Sequence, residues 1–169
     1  TTLVEFLQSK KIKVIMITGD NEENARITAN QLNLDGFYAN TLPEEKANII
    51  REVKEKYGVV CMVGDGINDA PALAVSNVSI AMGQGSEIAI DAADIVLMKG
   101  SLKKLVDVYN SATKLRKIIF QNLILAFGVI TMMIIFNVIT TVDLPLAVVF
   151  HEGSTILVIL NGLRLLRRG

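Results

Sequence analysis

The chain has 169 residues, with 17 Lys and Arg against 17 Asp and Glu, so its formal net charge is zero. That length holds one modest domain, or a small domain with a few extra helices. The balanced charge argues against a nucleic-acid partner, the single cysteine excludes a disulfide framework and a cysteine-only metal site, and 51% hydrophobic with 20% charged residues is too apolar for disorder.

From the start, the chain opens on Thr1 with no signal or transit peptide pattern, which reads as a piece of a longer protein. Lys13-Val14-Ile15-Met16-Ile17 is a short β-branched run that predicts a strand ending in Thr18-Gly19-Asp20. Asn21 to Leu32 predicts a helix, with Ala25, Ile27, Ala29 and Leu32 as its apolar positions. Gly36-Phe37-Tyr38-Ala39 predicts a short strand. Pro43 to Tyr57 predicts a second helix, with Pro43 at its start, Glu44 and Glu45 in its first turn and Gly58 just beyond it. Val59-Val60-Cys61-Met62-Val63 predicts a buried strand, with Cys61 in the core, ending in Gly64-Asp65-Gly66. A short helix over Asn68 to Ala74 follows, then strands over 78–82 and 94–97. Ser101 is the expected cap of a long helix starting near Leu102. Strands alternating with helices imply an α/β domain with a parallel sheet covered on both faces. Ligands of such sheets bind beyond the carboxyl ends of the strands, where both Thr18-Gly19-Asp20 and Gly64-Asp65-Gly66 fall.

The composition then changes. Residues 1–117 carry 15 acidic and 14 basic residues, whereas 118–169 carry two and three. Ile118 to Val142 has no charged residue, and Leu144 to Leu163 is apolar except for His151 and Glu152. A helix of about 20 apolar residues crosses the hydrocarbon core of a bilayer, so 118–169 reads as a transmembrane helical hairpin in a lipid bilayer, turning at 140–143. Pro145 suits the first turn of the second helix. Lys114, Arg116 and Lys117 precede the first run, and Arg164, Arg167 and Arg168 follow the second, while the turn has no basic residue. The positive-inside rule places residues 1–117 and the C-terminus in the cytoplasm. A buried helical hairpin in a water-soluble domain is the plainer alternative.

Three segments carry chemistry. In Val63-Gly64-Asp65-Gly66-Ile67-Asn68-Asp69-Ala70-Pro71, Asp65 and Asp69 stand four apart in a Gly-rich turn at a strand end, which suits Mg²⁺ with waters and phosphate oxygens. Thr18-Gly19-Asp20 offers a hydroxyl and N–H groups to a phosphoryl oxygen, although the same tripeptide also serves as an ordinary turn and cap. Lys46 stands early on a helix, against the dipole, which hints at a task such as neutralising a phosphate; a solvated surface Lys is the bland reading. In the membrane run, His151 and Glu152 offer imidazole nitrogen and carboxylate oxygen near mid-bilayer, where charge is costly. That donor set suits Zn²⁺, Co²⁺, Fe²⁺ or Ni²⁺, and Thr155 lies one turn after His151 on the same side.

Met16-Ile17-Thr18-Gly19-Asp20-Asn21, Lys46, Gly64-Asp65-Gly66-Ile67-Asn68-Asp69-Ala70-Pro71 and the stretch from Ile80 to Leu97 together resemble the phosphorylation domain of P-type ATPases, within the haloacid-dehalogenase superfamily. The resemblance implies a haloacid-dehalogenase-like (Rossmann-type) fold over 1–117, incomplete, followed by two transmembrane helices. It also implies Mg²⁺ at Asp65 with Asp69 in support, phosphate contacts from Thr18 and Lys46, and a catalytic set of Thr18, Gly19, Asp20, Lys46, Asp65, Asn68 and Asp69. ATP is the implied cosubstrate. The family's phosphorylated Asp, in an Asp-Lys-Thr-Gly-Thr motif, is absent from this sequence, as are its actuator and nucleotide-binding domains and earlier membrane segments, which would be partners from the same protein. The chain by itself is therefore expected to be inactive. His151-Glu152-Gly153-Ser154-Thr155 and Asn161-Gly162-Leu163-Arg164-Leu165-Leu166 resemble the heavy-metal subgroup, in the branch linked to cobalt and related divalent ions. His151, Glu152 and Thr155 are then the candidate ligands of a transported transition-metal ion. A membrane-anchored phosphatase of the same superfamily is the alternative.

Overall fold

A computed structural model describes residues 2–65, 67–98, 101–139 and 143–166. Gly66, Thr140, Thr141, Val142, Arg167 and Arg168, which figure in the reading above, lie outside the described residues. The chain divides into two units, Thr1–Val106 and Asp107–Gly169. The division comes earlier than the compositional boundary at Ile118, because one helix, α6 (Lys104–Ile139), already begins in the charged segment.

In the first unit, α1 (Leu3–Ser9) is followed by β1 (Ile15–Ile17), α2 (Glu22–Gln31) and β2 (Gly36–Tyr38). The sequence reading omits α1, although Thr2 and Glu5 cap it reciprocally, each side chain accepting from the other's backbone N–H. Asn21 caps α2 by accepting from the Asn24 N–H at 2.9 Å, and Glu22 and Glu23 sit in its first turn. Ala25 and Ala29, one turn apart, form the buried stripe of α2. β1 and β2 pair in parallel, Ile15 opposite Gly36 through Ile17 opposite Tyr38.

Pro43–Glu45 is a 3₁₀ turn, and α3 (Lys46–Tyr57) starts only after it. The single helix expected from Pro43 is therefore corrected to a tight turn plus a helix. The Glu45 carboxylate accepts from the Leu42 N–H at 2.9 Å and fixes that turn. α3 buries Ala47, Ile50 and Val53 and packs on α4 (Ala70–Val75), which buries Ala70, Ala72 and Leu73. β3 (Cys61–Gly64), β4 (Val78–Met82) and β5 (Ile95–Leu97) form a second parallel sheet in the order β3-β4-β5. The expected parallel pairing thus occurs as two ladders, of two and three strands. β4 buries Ser79, Ile80 and Ala81, whereas β1 is half-buried throughout. Cys61 is exposed and Val59 is 79% exposed, correcting the reading of a buried strand there. The physical reason is position: β3 has a single strand neighbour among the described residues. A five-residue helix, α5 (Glu87–Asp91), also absent from the sequence reading, fills the connection from β4 to β5.

In the second unit, α6 is long and apolar enough to cross a membrane, and the chain returns in α7 (Leu144–Leu163), whose segment Ala147–Leu163 is a shorter apolar helix. α6 starts at Lys104, two residues later than expected, and the Ser101 carbonyl accepts from the Lys104 N–H at 3.0 Å. Ile118 is the buried residue of α6 among those described.

β4 and β5 are tied together before β5 begins. The Asp94 carboxylate accepts from the Ser79 hydroxyl at 2.7 Å and the Ser79 N–H at 2.9 Å. These two bonds hold the Asp94 carboxyl below the usual carboxylate range, the hydroxyl contributing most. A carboxyl depressed in the native state stabilises fully above its unfolded value and loses that contribution as pH falls through the native one. Asp94→Asn keeps an acceptor oxygen but cannot titrate. Urea midpoints of the detergent-solubilised chain, measured over roughly pH 2 to 5, should fall less steeply with acid in Asp94→Asn than in the parent.

Candidate functional site

The first loop follows β1. The Thr18 N–H donates to the Tyr38 carbonyl at 2.9 Å and continues the ladder, after which the chain turns. The Thr18 hydroxyl donates to the Asp20 carboxylate at 3.0 Å and accepts from the Asp20 N–H at 3.1 Å. This is a local side-chain turn that shapes the loop without a distant partner. Two further bonds pin it to the loop after β2: the Asn40 N–H donates to the Asp20 carbonyl at 2.7 Å, and the Thr41 N–H to the Thr18 carbonyl at 3.0 Å. Thr41 is buried, and the sequence reading did not single it out. Its local sequence, Asn40-Thr41-Leu42, carries no mark of this role; the structure holds Asn40 before it at φ 52°. Thr18 is half-buried, while Gly19 and Asp20 are exposed.

The second loop follows β3. Asp65 is exposed at the carboxyl end of the strand. A 3₁₀ turn over Ile67–Asp69 brings Asp69 back over the strand end, where it is buried. This fold-back requires Gly64: a Cβ there would lie 2.7 Å from the Asp69 Cβ. Asp69 Oδ2 accepts from the Asp65 N–H at 3.3 Å, and Asp69 Oδ1 from Lys46 Nζ at 2.6 Å. Both Lys46 and Asp69 are largely buried, at 19% and 10% side-chain exposure. From the other side the Asp65 carbonyl accepts from the Ser86 N–H at 3.1 Å. Gly85 makes this approach possible, since a Cβ there would come within 2.3 Å of the Asp65 carbonyl oxygen. Gly85 and Ser86, in the loop after β4, are therefore positioning residues that the sequence reading missed. Asn68 is exposed, and no described contact ties it to the other site residues.

The structure thus brings Lys46, Asp65 and Asp69 together, and Thr41 connects Thr18 to the loop that leads into Lys46. Both oxygens of Asp69 are engaged by protein donors, so it orients the turn, while Asp65 is the carboxylate open to an oxygen-seeking cation.

On α7, His151 Nδ1 lies 3.5 Å from Glu152 Oε1, and the two side chains are 72% and 67% exposed. The Ser154 and Thr155 hydroxyls donate to the His151 carbonyl at 2.7 and 3.2 Å. Back-bonding of this kind satisfies hydroxyls in an apolar helix. Among the described residues, no group of three or more His, Cys, Asp or Glu converges on one point, so neither site holds a complete ligand cage by itself.

A haloacid dehalogenase-like hydrolase family model matches residues 1–77. A zinc-transporting ATPase of Bacillus subtilis is 47% identical over 98% of this chain and 26% of its own length. A probable cobalt/nickel-exporting P-type ATPase of Mycolicibacterium smegmatis is 37% identical over 97% of this chain and 26% of its own length. A crystal structure of a zinc-transporting PIB-type ATPase in the E2.Pi state superposes with a TM-score of 0.91 at 36% identity, over 97% of this chain and 27% of that one. The chain therefore belongs to the heavy-metal P-type ATPases, and it spans about a quarter of the length of the relatives it matches.

Proposed function

We propose that the chain is the C-terminal portion of an ATP-driven exporter of a divalent transition metal, of the cobalt, zinc, cadmium, iron or nickel class. Residues 1–117 are the larger part of its phosphorylation domain, and 118–169 are two membrane-crossing helices with both ends in the cytoplasm. The observation that carries this reading is the linked set Lys46–Asp69–Asp65 at the end of β3, with both charged partners of the ion pair largely buried. A surface lysine has no use for such a mount, whereas a group that must meet a phosphoryl oxygen at a fixed place does.

The phosphoacceptor Asp comes from an upstream segment in this reading. The terminal phosphoryl group of ATP passes to that carboxylate and ADP leaves; water later attacks phosphorus and releases phosphate. β1 and β3, which carry the two loops, each leave one edge unpaired among the described strands, so a further parallel strand can pair there and bring its carboxyl end to both loops. Lys46 and the Thr18 hydroxyl bind phosphoryl oxygens, and Lys46 offsets their charge. Mg²⁺ fits the donor chemistry: one open carboxylate at Asp65, its shell completed by water and phosphate oxygens, with Asp69 engaged behind it. When bound, the ion neutralises charge on the transferring group. At the other end, His151 and Glu152 ligate the transported metal, with Thr155 on the same helical side; the remaining ligands come from upstream membrane segments.

Three variants test this in the full-length transporter. Asp65→Asn should raise the Mg²⁺ concentration needed for half-maximal phosphoenzyme by about 10–100-fold or more, the range seen even for outer-shell partners of metals. Unchanged Mg²⁺ dependence would remove Asp65 from that role. Lys46→Ala should cut phosphoenzyme formation and, by stranding the Asp69 carboxylate, cost about 1–3 kcal/mol of stability in urea titrations. His151→Ala should abolish metal-stimulated ATP hydrolysis yet leave phosphorylation by inorganic phosphate intact, with Co²⁺, Zn²⁺ and Cu⁺ compared on one preparation. Retained stimulation would take His151 out of the transport path, and stimulation by Cu⁺ alone would overturn the divalent assignment.

A further inference from the structure

The loop from β4 to α5, Gly83 to Ser86, is fastened at both ends. The Gly83 N–H donates to the Leu97 carbonyl at 3.0 Å and the Gly85 N–H to the Met82 carbonyl at 2.7 Å, while the Ser86 carbonyl accepts from the Ile90 N–H at 3.0 Å. β4, which leads into the loop, is paired on both sides. α5, which leaves it, packs against the 3₁₀ turn over Ile67–Asp69. From this frame the Ser86 N–H donates to the Asp65 carbonyl at 3.1 Å.

The two glycines of the loop have different neighbours. A Cβ at Gly85 would lie 2.3 Å from the Asp65 carbonyl oxygen and 3.0 Å from its carbon. A Cβ at Gly83 would instead meet β5 and the residue after it, at 3.0 Å from the Leu97 carbonyl oxygen and 2.7 Å from the Met98 Cα. Neither glycine has a φ in the left-handed range, so closeness alone calls for the missing side chain. The obstacle at Gly85 is backbone, which cannot swing aside as a side chain can. An alanine there must lift the loop off the Asp65 carbonyl, breaking the Ser86 bond, or displace Asp65 itself.

In the function proposed above, the exposed Asp65 carboxylate takes a cation. The backbone beneath it is held at the N–H by Asp69 and at the carbonyl by Ser86, which limits where the carboxylate oxygens can stand. Hard cations differ in what they ask of such a ligand. Mg²⁺ demands near-octahedral geometry at about 2.0–2.1 Å, whereas Ca²⁺ accepts about 2.3–2.6 Å and a variable ligand number. A carboxylate on a fixed backbone therefore favours Mg²⁺, and loosening its mount costs Mg²⁺ more than Ca²⁺.

We infer that Gly85 is a specificity-determining residue: by letting the β4–α5 loop close on the Asp65 carbonyl, it makes the Asp65 site prefer Mg²⁺ over Ca²⁺. This rests on the reading of Asp65 as the Mg²⁺ carboxylate and extends it to a residue that touches no cation.

The test uses the full-length transporter and Mn²⁺ as the probe, its binding followed by electron paramagnetic resonance. The Asp65 site is the part of that binding that Asp65→Asn removes. Displacing this Mn²⁺ with Mg²⁺ and with Ca²⁺ gives the preference between the two without catalysis. In Gly85→Ala the preference for Mg²⁺ should fall about tenfold, the lower end of what outer-shell partners contribute. Ser86→Pro, which removes the donor without adding a Cβ at position 85, should shift it in the same direction. Gly83→Ala should lower the urea midpoint and keep the parent's preference. A parent-like preference in either of the first two variants, folded, would overturn the inference and leave Asp65 assigned. An equal fall in Gly83→Ala would overturn it in favour of general loosening of the loop. Failure of both Gly85→Ala and Ser86→Pro to fold would overturn it in favour of a purely structural contact. Should Asp65→Asn leave all Mn²⁺ binding in place, the reading of Asp65 itself falls, and the inference with it.

Discussion

The ion pair between Lys46 and Asp69, 2.6 Å long and mostly out of water, is the contact on which the geometry at the carboxyl end of β3 depends. Lys46 opens α3, where a positive charge opposes the helix dipole. Asp69 lies buried against the end of β3, where a lone carboxylate is expensive. Each group is poorly placed alone, and each removes the other's penalty. With Oδ1 committed to Lys46, Oδ2 is oriented toward the Asp65 N–H, and the turn that exposes the Asp65 side chain is fixed. Removing either partner of such a pair costs more than the pair itself contributes, because the survivor stays buried and charged.

Glycine extends that constraint to two backbones. Gly64 lets Asp69 fold back over the strand, and Gly85 lets the loop after β4 reach the Asp65 carbonyl, where Ser86 donates. Asp65 is thus gripped at its N–H from one side and its carbonyl from the other, with its carboxylate left exposed. The Thr18 loop achieves similar definition more cheaply, through bonds within the tripeptide and two to the neighbouring loop. A rigid mount for the carboxylate and a local turn for the hydroxyl suit the proposed task of placing one cation and one set of phosphate oxygens repeatedly in the same geometry.

Much of this was legible in sequence where local rules act alone. β4 runs over Val78–Met82 as its pattern predicts, because it is central in its sheet and pairs on both sides. α7 spans Leu144–Leu163, set off by Pro145 and by charge at both ends. Where context decides, the pattern misleads. Val59 and Cys61 look like core, but Val59 precedes β3 and Cys61 opens it, a strand with one strand neighbour among the described residues, so burial does not follow hydrophobicity there. Pro43 starts a 3₁₀ turn rather than α3, since Glu45 closes a cap on Leu42 first. α1 was readable from Thr2 and Glu5 but is too short to show periodicity. The pairing of Lys46 with Asp69, 23 residues apart, leaves no trace in local spacing; the misfit of a lysine at a helix start was its only sign.

The polar groups of the apolar hairpin separate into two kinds. Asn161 is satisfied within the hairpin, donating to Gln121 and Asn122 on α6 and accepting from Arg164. A half-buried amide with these bonds ties two helices together at a fixed register, which is a structural task. His151 and Glu152 lie 3.5 Å apart and are 72% and 67% exposed, and no other side-chain contact of theirs is found among the described residues. In the membrane reading proposed above that arrangement is costly. Ser154 and Thr155 do not help either, since their protons go to the His151 carbonyl. The contrast lies in the bonding: Asn161 is tied across to α6, whereas among the described residues His151 and Glu152 show a contact with each other on α7. In the transport function proposed above, a transition-metal ion held jointly with upstream helices would answer this, because the imidazole nitrogen and the carboxylate would become ligands and the ion's charge would offset that of Glu152.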